Sequence, residues 1–145
     1  MEIKSSKSKM EFLRVKLGFD GLFVVDPVGR SGGLSLLWKE KNEVEIQNYT
    51  RRHINAVIKH SDSTSPWRFT GFYGHPDPAK RHESWTLLRH LKHYDPEPWL
   101  CIGDFNEVVE QDEKFGGLRK NEGQMRQFRN ALAECDLADL GYKGS

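Results

Sequence analysis

The spacing of apolar residues predicts three helices in this chain. Apolar positions recur every three or four residues in three segments, which is the repeat of an amphipathic helix. These segments are Ser8–Leu17, Pro78–Leu91 and Met125–Cys135. Gly18 follows the first segment as a C-terminal stop, and Pro78 opens the second. The residues expected on the buried faces are Met10, Leu13 and Leu17, then Trp85, Leu88 and Leu91, then Met125, Phe128, Leu132 and Cys135.

Short apolar stretches between turn residues predict strands. Four of them follow one another and suggest a single antiparallel run, namely Leu22–Val25, Leu34–Trp38, Val44–Ile46 and Ile54–Ile58. Arg68–Tyr73 is a further β-prone segment, which ends at Gly74-His75-Pro76. Trp99–Ile102 is an unbroken apolar run and predicts a strand buried on both faces. The element order predicts one α/β domain with helices packed on sheets.

Composition limits the kinds of partner. The 145 residues include 22 basic and 21 acidic side chains, so the net charge is only +1 and any site for a polyanion must be local. Cys101 and Cys135 lie in apolar surroundings, which favours buried thiols in a reducing compartment over metal ligands. Neither a signal segment nor a membrane-spanning run is expected, which predicts a soluble intracellular protein.

Two predicted strands end in polar clusters, Tyr73 to Pro76 and Asp104 to Glu107. In an extended backbone Asp104 and Asn106 point to one side, while Phe105 points to the other and can anchor the turn in the core. A carboxylate can orient and deprotonate water, and a neutral amide can donate hydrogen bonds to phosphate oxygens. The alternative is that Asp104 and Asn106 only form an Asx turn at a strand end.

The strand that ends in Gly103-Asp104-Phe105-Asn106 resembles the endonuclease/exonuclease/phosphatase superfamily, in which a buried strand ends in G-D-[FL]-N. Within that superfamily the chain is similar to the endonuclease domain of plant non-LTR (LINE-type) retrotransposons. The similar stretches are Val15–Asp20, Val28–Leu34, Arg51–Ile54, Phe69–Pro76 and Trp99–Asn106. The resemblance implies a partial β-sandwich flanked by helices, of the DNase I-like α/β type.

The resemblance also implies roles for individual residues. Asp104 matches the acid/base carboxylate that orients the attacking water, and Asn106 matches the amide that holds the scissile phosphate. Tyr73 matches the tyrosine whose hydroxyl bonds the phosphate, although a strand tyrosine can equally fill the core. Glu2 stands where such enzymes carry a metal-binding glutamate, and a solvated terminal charge is its alternative. The implied metal is Mg²⁺, with Mn²⁺ as a substitute, because hard cations prefer oxygen ligands.

Other polar residues keep two interpretations. His75 has no catalytic role in the family and is interpreted as a loop residue that can contact substrate. Gly29–Gly33 can cradle a phosphate through backbone amides or form a tight turn. The pairs Arg51-Arg52 and Lys80-Arg81 can be basic rims for a DNA backbone or solvent-exposed charge.

The resemblance covers only the middle of the family's domain. It implies an Asn before Glu2, and a later Asp and an Asp-His pair after Ser145. Because such groups act together, we predict a DNA phosphodiesterase domain truncated at both ends that is inactive or nearly so as this chain. The alternatives are a catalytically dead retrotransposon remnant that at most binds nucleic acid, and a phosphatase of the same fold. In a full-length element the partners would be DNA and a reverse transcriptase domain, and the location would be nuclear.

Overall fold

The computed structural model of the chain describes residues 2–3, 7–27, 33–39, 42–63, 65–93, 97–110 and 120–141. These residues form seven strands and three α-helices in two sheets, which confirms the α/β class. The chain divides into two compact units. The first, called the sheet unit, comprises Met1–Tyr73 and Pro96–Asp104, and the second, called the helix unit, comprises Gly74–Asp95 and Phe105–Ser145. That the chain is one incomplete domain stays a prediction.

The sheet unit contains both sheets. The first has three antiparallel strands in the order β1-β3-β2, which are β1 (Glu2–Ile3), β2 (Gly21–Val25) and β3 (Gly33–Trp38). The second has four strands in chain order, which are β4 (Asn42–Thr50), β5 (His53–His60), β6 (Trp67–Tyr73) and β7 (Trp99–Asp104). β4, β5 and β6 pair antiparallel, whereas β7 runs parallel to β6.

The two sheets share an apolar core. Val25 and Leu34 from the first sheet form a buried cluster with Ile54 from the second. The predicted single antiparallel run is therefore wrong, because β3 and β4 belong to different sheets. Apolar alternation indicates which face of a strand is buried, but it does not indicate which strand lies beside it.

The first helix, α1 (Lys7–Lys16), confirms the helical prediction near the start of the chain. Gly18 follows it with φ of 66°, a left-handed backbone that glycine adopts without steric cost. The predicted buried face is only partly correct, since Met10 is buried whereas Leu13 and Leu17 are exposed. Helical spacing places these three side chains on one face, but it does not show how far a neighbouring sheet covers that face.

Strand β7 is confirmed, but the prediction that it is buried on both faces is wrong. Ile102 is 56% exposed, and Gly103 and Asp104 are exposed as well. In the described part of the chain β7 is an edge strand whose one neighbour is β6. A continuous apolar run therefore does not by itself require cover on both faces.

The helix unit is built around α2 (Arg81–Lys92) and α3 (Glu122–Glu134). The predicted start at Pro78 is a short 3₁₀ turn, Pro78–Lys80, which precedes α2. Trp85 of α2 stacks on Phe128 of α3 with ring centroids 4.6 Å apart. The predicted apolar face of α2 is confirmed, and that of α3 is confirmed except for Leu132, which is only half-buried. None of the helices in the described residues is long and apolar enough to cross a membrane.

The predicted glycine-rich turn at Gly29–Gly33 lies outside the described residues except for Gly33, the first residue of β3.

Candidate active site

Tyr73 and Asp104 are the last register pair of the parallel strands β6 and β7. Paired residues of neighbouring strands project from the same face of a sheet. The side chains of Tyr73 and Asp104 therefore project from the same face of the sheet, at the carboxyl ends of two adjacent strands. Asp104 is exposed and Tyr73 is half-buried. In α/β folds with parallel strands, ligands usually bind at this end.

Gly103 allows β7 to stay paired with β6 up to its last residue. Its φ is 155°, and a Cβ atom at this position would lie 1.8 Å from the carbonyl oxygen of Phe72. No side chain can occupy that space unless the backbone moves. The glycine of the G-D-F-N motif thus has a structural role, since it lets Asp104 align with Tyr73.

The ring of Tyr73 has contacts of two kinds within the sheet unit. It packs against the buried cluster of Val25, Leu34 and Ile54, as expected for a strand aromatic. The guanidinium carbon of Arg52 also lies 5.9 Å from the ring centroid, which is within cation–π range. The ring therefore contributes to the core, and the role of the hydroxyl toward phosphate stays a prediction.

Glu2 lies in β1 opposite Leu34, which belongs to the cluster against which Tyr73 packs. Its backbone is thus placed beside that cluster, while its side chain lies outside what the structure describes. Carboxylates suit Mg²⁺, which is commonly held by one or two of them together with water and phosphate oxygens. Among the described residues, no three His, Cys, Asp or Glu side chains are grouped so as to hold a metal. Glu2 as a metal ligand stays a prediction.

Asn106 belongs to the helix unit and has a left-handed backbone with φ of 56°. Asparagine tolerates this conformation better than most side chains. Its Nδ2 donates to the carbonyl oxygen of Gly74 at 2.9 Å, and Lys120 Nζ donates to the Asn106 carbonyl oxygen at 3.2 Å. The bond to Gly74 joins two distant parts of the chain, unlike the local bond of an Asx turn. The contact of this amide with phosphate stays a prediction.

His75 is held in its loop by both its backbone and its ring. Its backbone N–H donates to Ser84 Oγ at 2.8 Å, and its Nδ1 accepts from the Asp77 backbone N–H at 3.1 Å. Because Nδ1 accepts a hydrogen bond, the neutral ring carries its proton on Nε2. This position fits the interpretation of His75 as a loop residue, and its contact with substrate stays a prediction.

Sequence reasoning missed a buried ion network in the helix unit. The Glu107 side chain is 0% exposed, with Arg81 Nη1 at 2.7 Å from Oε2 and Lys120 Nζ at 3.2 Å from Oε1. Arg81 also donates to the carbonyl oxygens of His75 and Pro76, both at 3.2 Å. Both interpretations of Arg81, as a DNA-facing rim and as solvent-exposed charge, are therefore wrong, because its side chain is only 9% exposed and its donors are used inside the unit.

One signal for this network is present in the sequence. Arg81, Trp85 and Leu88 are spaced i, i+4 and i+7, so the arginine lies on the apolar face of α2. A charged residue on an apolar face requires a buried partner of opposite charge. Glu107 supplies that partner, but nothing in the local sequence distinguishes it from an exposed glutamate.

In comparisons with known protein families and with curated proteins, the chain matches none. The described residues form an α/β protein with two sheets, in which a tyrosine and a carboxylate are paired at the ends of parallel strands.

Proposed function

We propose that this chain carries part of a metal-dependent phosphodiesterase site that hydrolyses DNA, in a DNase I-like sandwich of the endonuclease/exonuclease/phosphatase type. The observation that carries the proposal is the register pair of Tyr73 and Asp104 at the carboxyl ends of β6 and β7. The shared core of two sheets supports the sandwich. The resemblance of Gly103 to Asn106 to the family motif supports the reaction class.

In the proposed reaction, the carboxylate of Asp104 orients a water molecule and accepts its proton as the water oxygen bonds to phosphorus. The P–O bond to the leaving sugar oxygen breaks, and that oxygen takes up a proton from solvent. The hydroxyl of Tyr73 donates a hydrogen bond to a non-bridging phosphate oxygen, and the resemblance assigns the Asn106 amide a similar donor role. Glu2 is the candidate ligand for Mg²⁺, which when bound supplies positive charge that offsets the charge of the phosphate. Asp104 and Tyr73 thus have separate tasks, one toward the nucleophile and one toward the phosphate.

Nicking of supercoiled plasmid in the presence of Mg²⁺ tests this function. The assay uses the chain itself and a version continued at both ends, since the resemblance implies further site residues there. In the longer version Asp104→Asn should lower the nicking rate by about 10²-fold or more, as expected when a general base is lost. Tyr73→Phe should lower the rate because one hydrogen-bond donor to the phosphate is removed.

Asp62→Asn is the matched control. Asp62 is also an exposed aspartate of the sheet unit, but it lies in the turn between β5 and β6, at the opposite end of β6 from Tyr73. Its replacement should leave the nicking rate unchanged. Nicking that survives Asp104→Asn would contradict the proposal. DNA binding without nicking would favour a dead remnant, and release of phosphate from inositol phosphates but not from DNA would favour a phosphatase.

A further inference from the structure

The turn between β4 and β5 consists of two arginines, and one of them is aligned with the proposed site. Thr50 and His53 form the last pair of the hairpin, so Arg51 and Arg52 are its two loop residues. The Tyr73 backbone N–H donates to the Arg52 carbonyl oxygen at 2.7 Å. Arg52, Tyr73 and Asp104 thus form a row across three neighbouring segments of the sheet unit, which spans about 10 Å because adjacent strands lie about 4.8 Å apart.

The Arg52 side chain is directed toward this row. Its guanidinium carbon lies 5.9 Å from the centroid of the Tyr73 ring, and Arg52 is half-buried whereas Arg51 is exposed. The turn is held by hydrogen bonds, since the Arg52 backbone N–H donates to Thr50 Oγ1 at 3.1 Å. The same hydroxyl lies 2.9 Å from Nδ1 of the buried His53. The arginine is therefore presented from an ordered hairpin.

The charge of Arg52 is not neutralised by an acidic neighbour in the described part of the chain. Four other arginines pair with glutamates, in the pairs Arg14–Glu11, Arg81–Glu107, Arg89–Glu134 and Arg129–Glu122. No carboxylate of a described residue lies within salt-bridge distance of Arg52. An arginine in cation–π range of an aromatic ring can still use its N–H donors toward the oxygens of a phosphate, because the ring accepts none of them as a hydrogen-bond acceptor of the carboxylate kind would.

We propose that Arg52 binds a backbone phosphate of the DNA substrate beside Tyr73, whereas Arg51 is a solvent-exposed charge. The inference rests on the proposed function for the identity of the substrate. It also accounts for how a chain with a net charge of +1 attracts a polyanion to a site that contains the carboxylate of Asp104. One fixed cation in the same row supplies the local attraction that the overall charge does not provide.

The test measures binding of the 145-residue chain to a fluorescein-labelled duplex oligonucleotide by fluorescence anisotropy, without Mg²⁺, over a series of NaCl concentrations. Each phosphate contact contributes about 0.9 to the slope of log K against log salt. Arg52→Gln should reduce the magnitude of this slope by about 0.9. Arg51→Gln should leave the slope unchanged, and Arg52→Lys should restore it because the charge is retained. Circular dichroism of each variant verifies that the fold is intact.

Equal slopes for the wild type and Arg52→Gln would overturn the proposal. Equal losses for Arg51→Gln and Arg52→Gln, or no measurable binding by the wild type at low salt, would overturn it as well. Asp104→Asn, made in the version continued at both ends, separates this inference from the proposed reaction, since it should lower the nicking rate while leaving the salt slope as in the wild type. A lowered slope for Arg52→Gln, together with no nicking by that longer version, would retain the phosphate site and reject only hydrolysis.

Discussion

Replacing Glu107 with glutamine would remove the negative charge at the centre of the buried network in the helix unit. The wild-type carboxylate is 0% exposed and is contacted by Arg81 at 2.7 Å and by Lys120 at 3.2 Å. Glutamine has nearly the same volume, so the change leaves no cavity. It leaves Arg81, which is 9% exposed, without its ionic partner, although the carbonyl oxygens of His75 and Pro76 still accept its other donors.

The size of the effect follows from the burial of the charges. Removing one partner of a buried ion pair destabilises a protein by about 3–5 kcal/mol, because the remaining charge is no longer compensated. Because Arg81 keeps its two hydrogen bonds to carbonyl oxygens, we expect Glu107→Gln to lower the free energy of unfolding by about 3 kcal/mol, at the lower limit of this range. Arg81→Met should lower stability by a similar amount, since Lys120, which is 22% exposed, is then the remaining cation at the carboxylate.

A double-mutant cycle of Arg81→Met, Glu107→Met and the variant with both changes separates lost charge pairing from lost packing. Replacing both charges by apolar groups of similar size is often neutral, so the double variant should be more stable than the sum of these two single changes predicts. We expect a coupling free energy of about 2 kcal/mol or more between the two positions.

Urea unfolding followed by circular dichroism gives the free energy of unfolding from the midpoint and the slope. The control is Glu134→Gln, which removes a carboxylate from the exposed ion pair with Arg89 and should change the midpoint little. If Glu107→Gln and Glu134→Gln shifted the midpoint equally, burial would not be the source of the effect. Strictly additive losses in the double variant would likewise refute the pairing of Arg81 with Glu107.

Two further predictions concern the backbone at Asn106 and the thiol of Cys135. Asn106→Gly and Asn106→Ala both lose the 2.9 Å hydrogen bond to Gly74, but only alanine has the steric cost of a backbone with φ of 56°. In urea unfolding, the alanine variant should therefore be about 1 kcal/mol less stable than the glycine variant. Equal stabilities of the two variants would argue against backbone strain at this position. Burial raises the pKa of the Cys135 thiol, so its contribution to stability is complete below the ordinary thiol pKa and is lost as pH rises toward the raised value. The free energy of unfolding should therefore decline at alkaline pH, and a decline of the same size in Cys135→Ala would exclude this thiol as its source.

Much of the local structure could be predicted from periodicity. The apolar faces of α2 and α3 follow from helical spacing, and all of the residues predicted there are buried except Leu132, which is half-buried. The separation of the strands into two sheets could not be predicted, because the alternation in β3 and β4 is compatible with pairing or with separation. The exposure of Ile102 was missed for a related reason, since an apolar run does not show whether a strand is central or at an edge.

The site could be predicted only in part. The ends of β6 and β7 are marked in the sequence by Gly74 and by Gly103-Asp104, and the structure pairs Tyr73 with Asp104 there. The hydrogen bond from the Asn106 amide to Gly74 could not be predicted, because it joins two residues that are 32 positions apart in the sequence. The same holds for Arg81 and Glu107, which are 26 residues apart.

The two carboxylates at and just after the end of β7 show why residue type alone does not assign a role. Asp104 and Glu107 are three positions apart in the sequence, and both stand in one polar cluster. Within the helix unit, Arg81 and Lys120 compensate the charge of Glu107, so this residue stabilises a loop and adds no exposed negative charge. Asp104 is exposed at the end of the sheet unit, in a row that includes Arg52. A general base has to be accessible to the water that it deprotonates, which holds for the exposed Asp104 and not for the buried side chain of Glu107. The burial of Glu107 between Arg81 and Lys120 is therefore the physical reason why Asp104, and not Glu107, is the proposed general base.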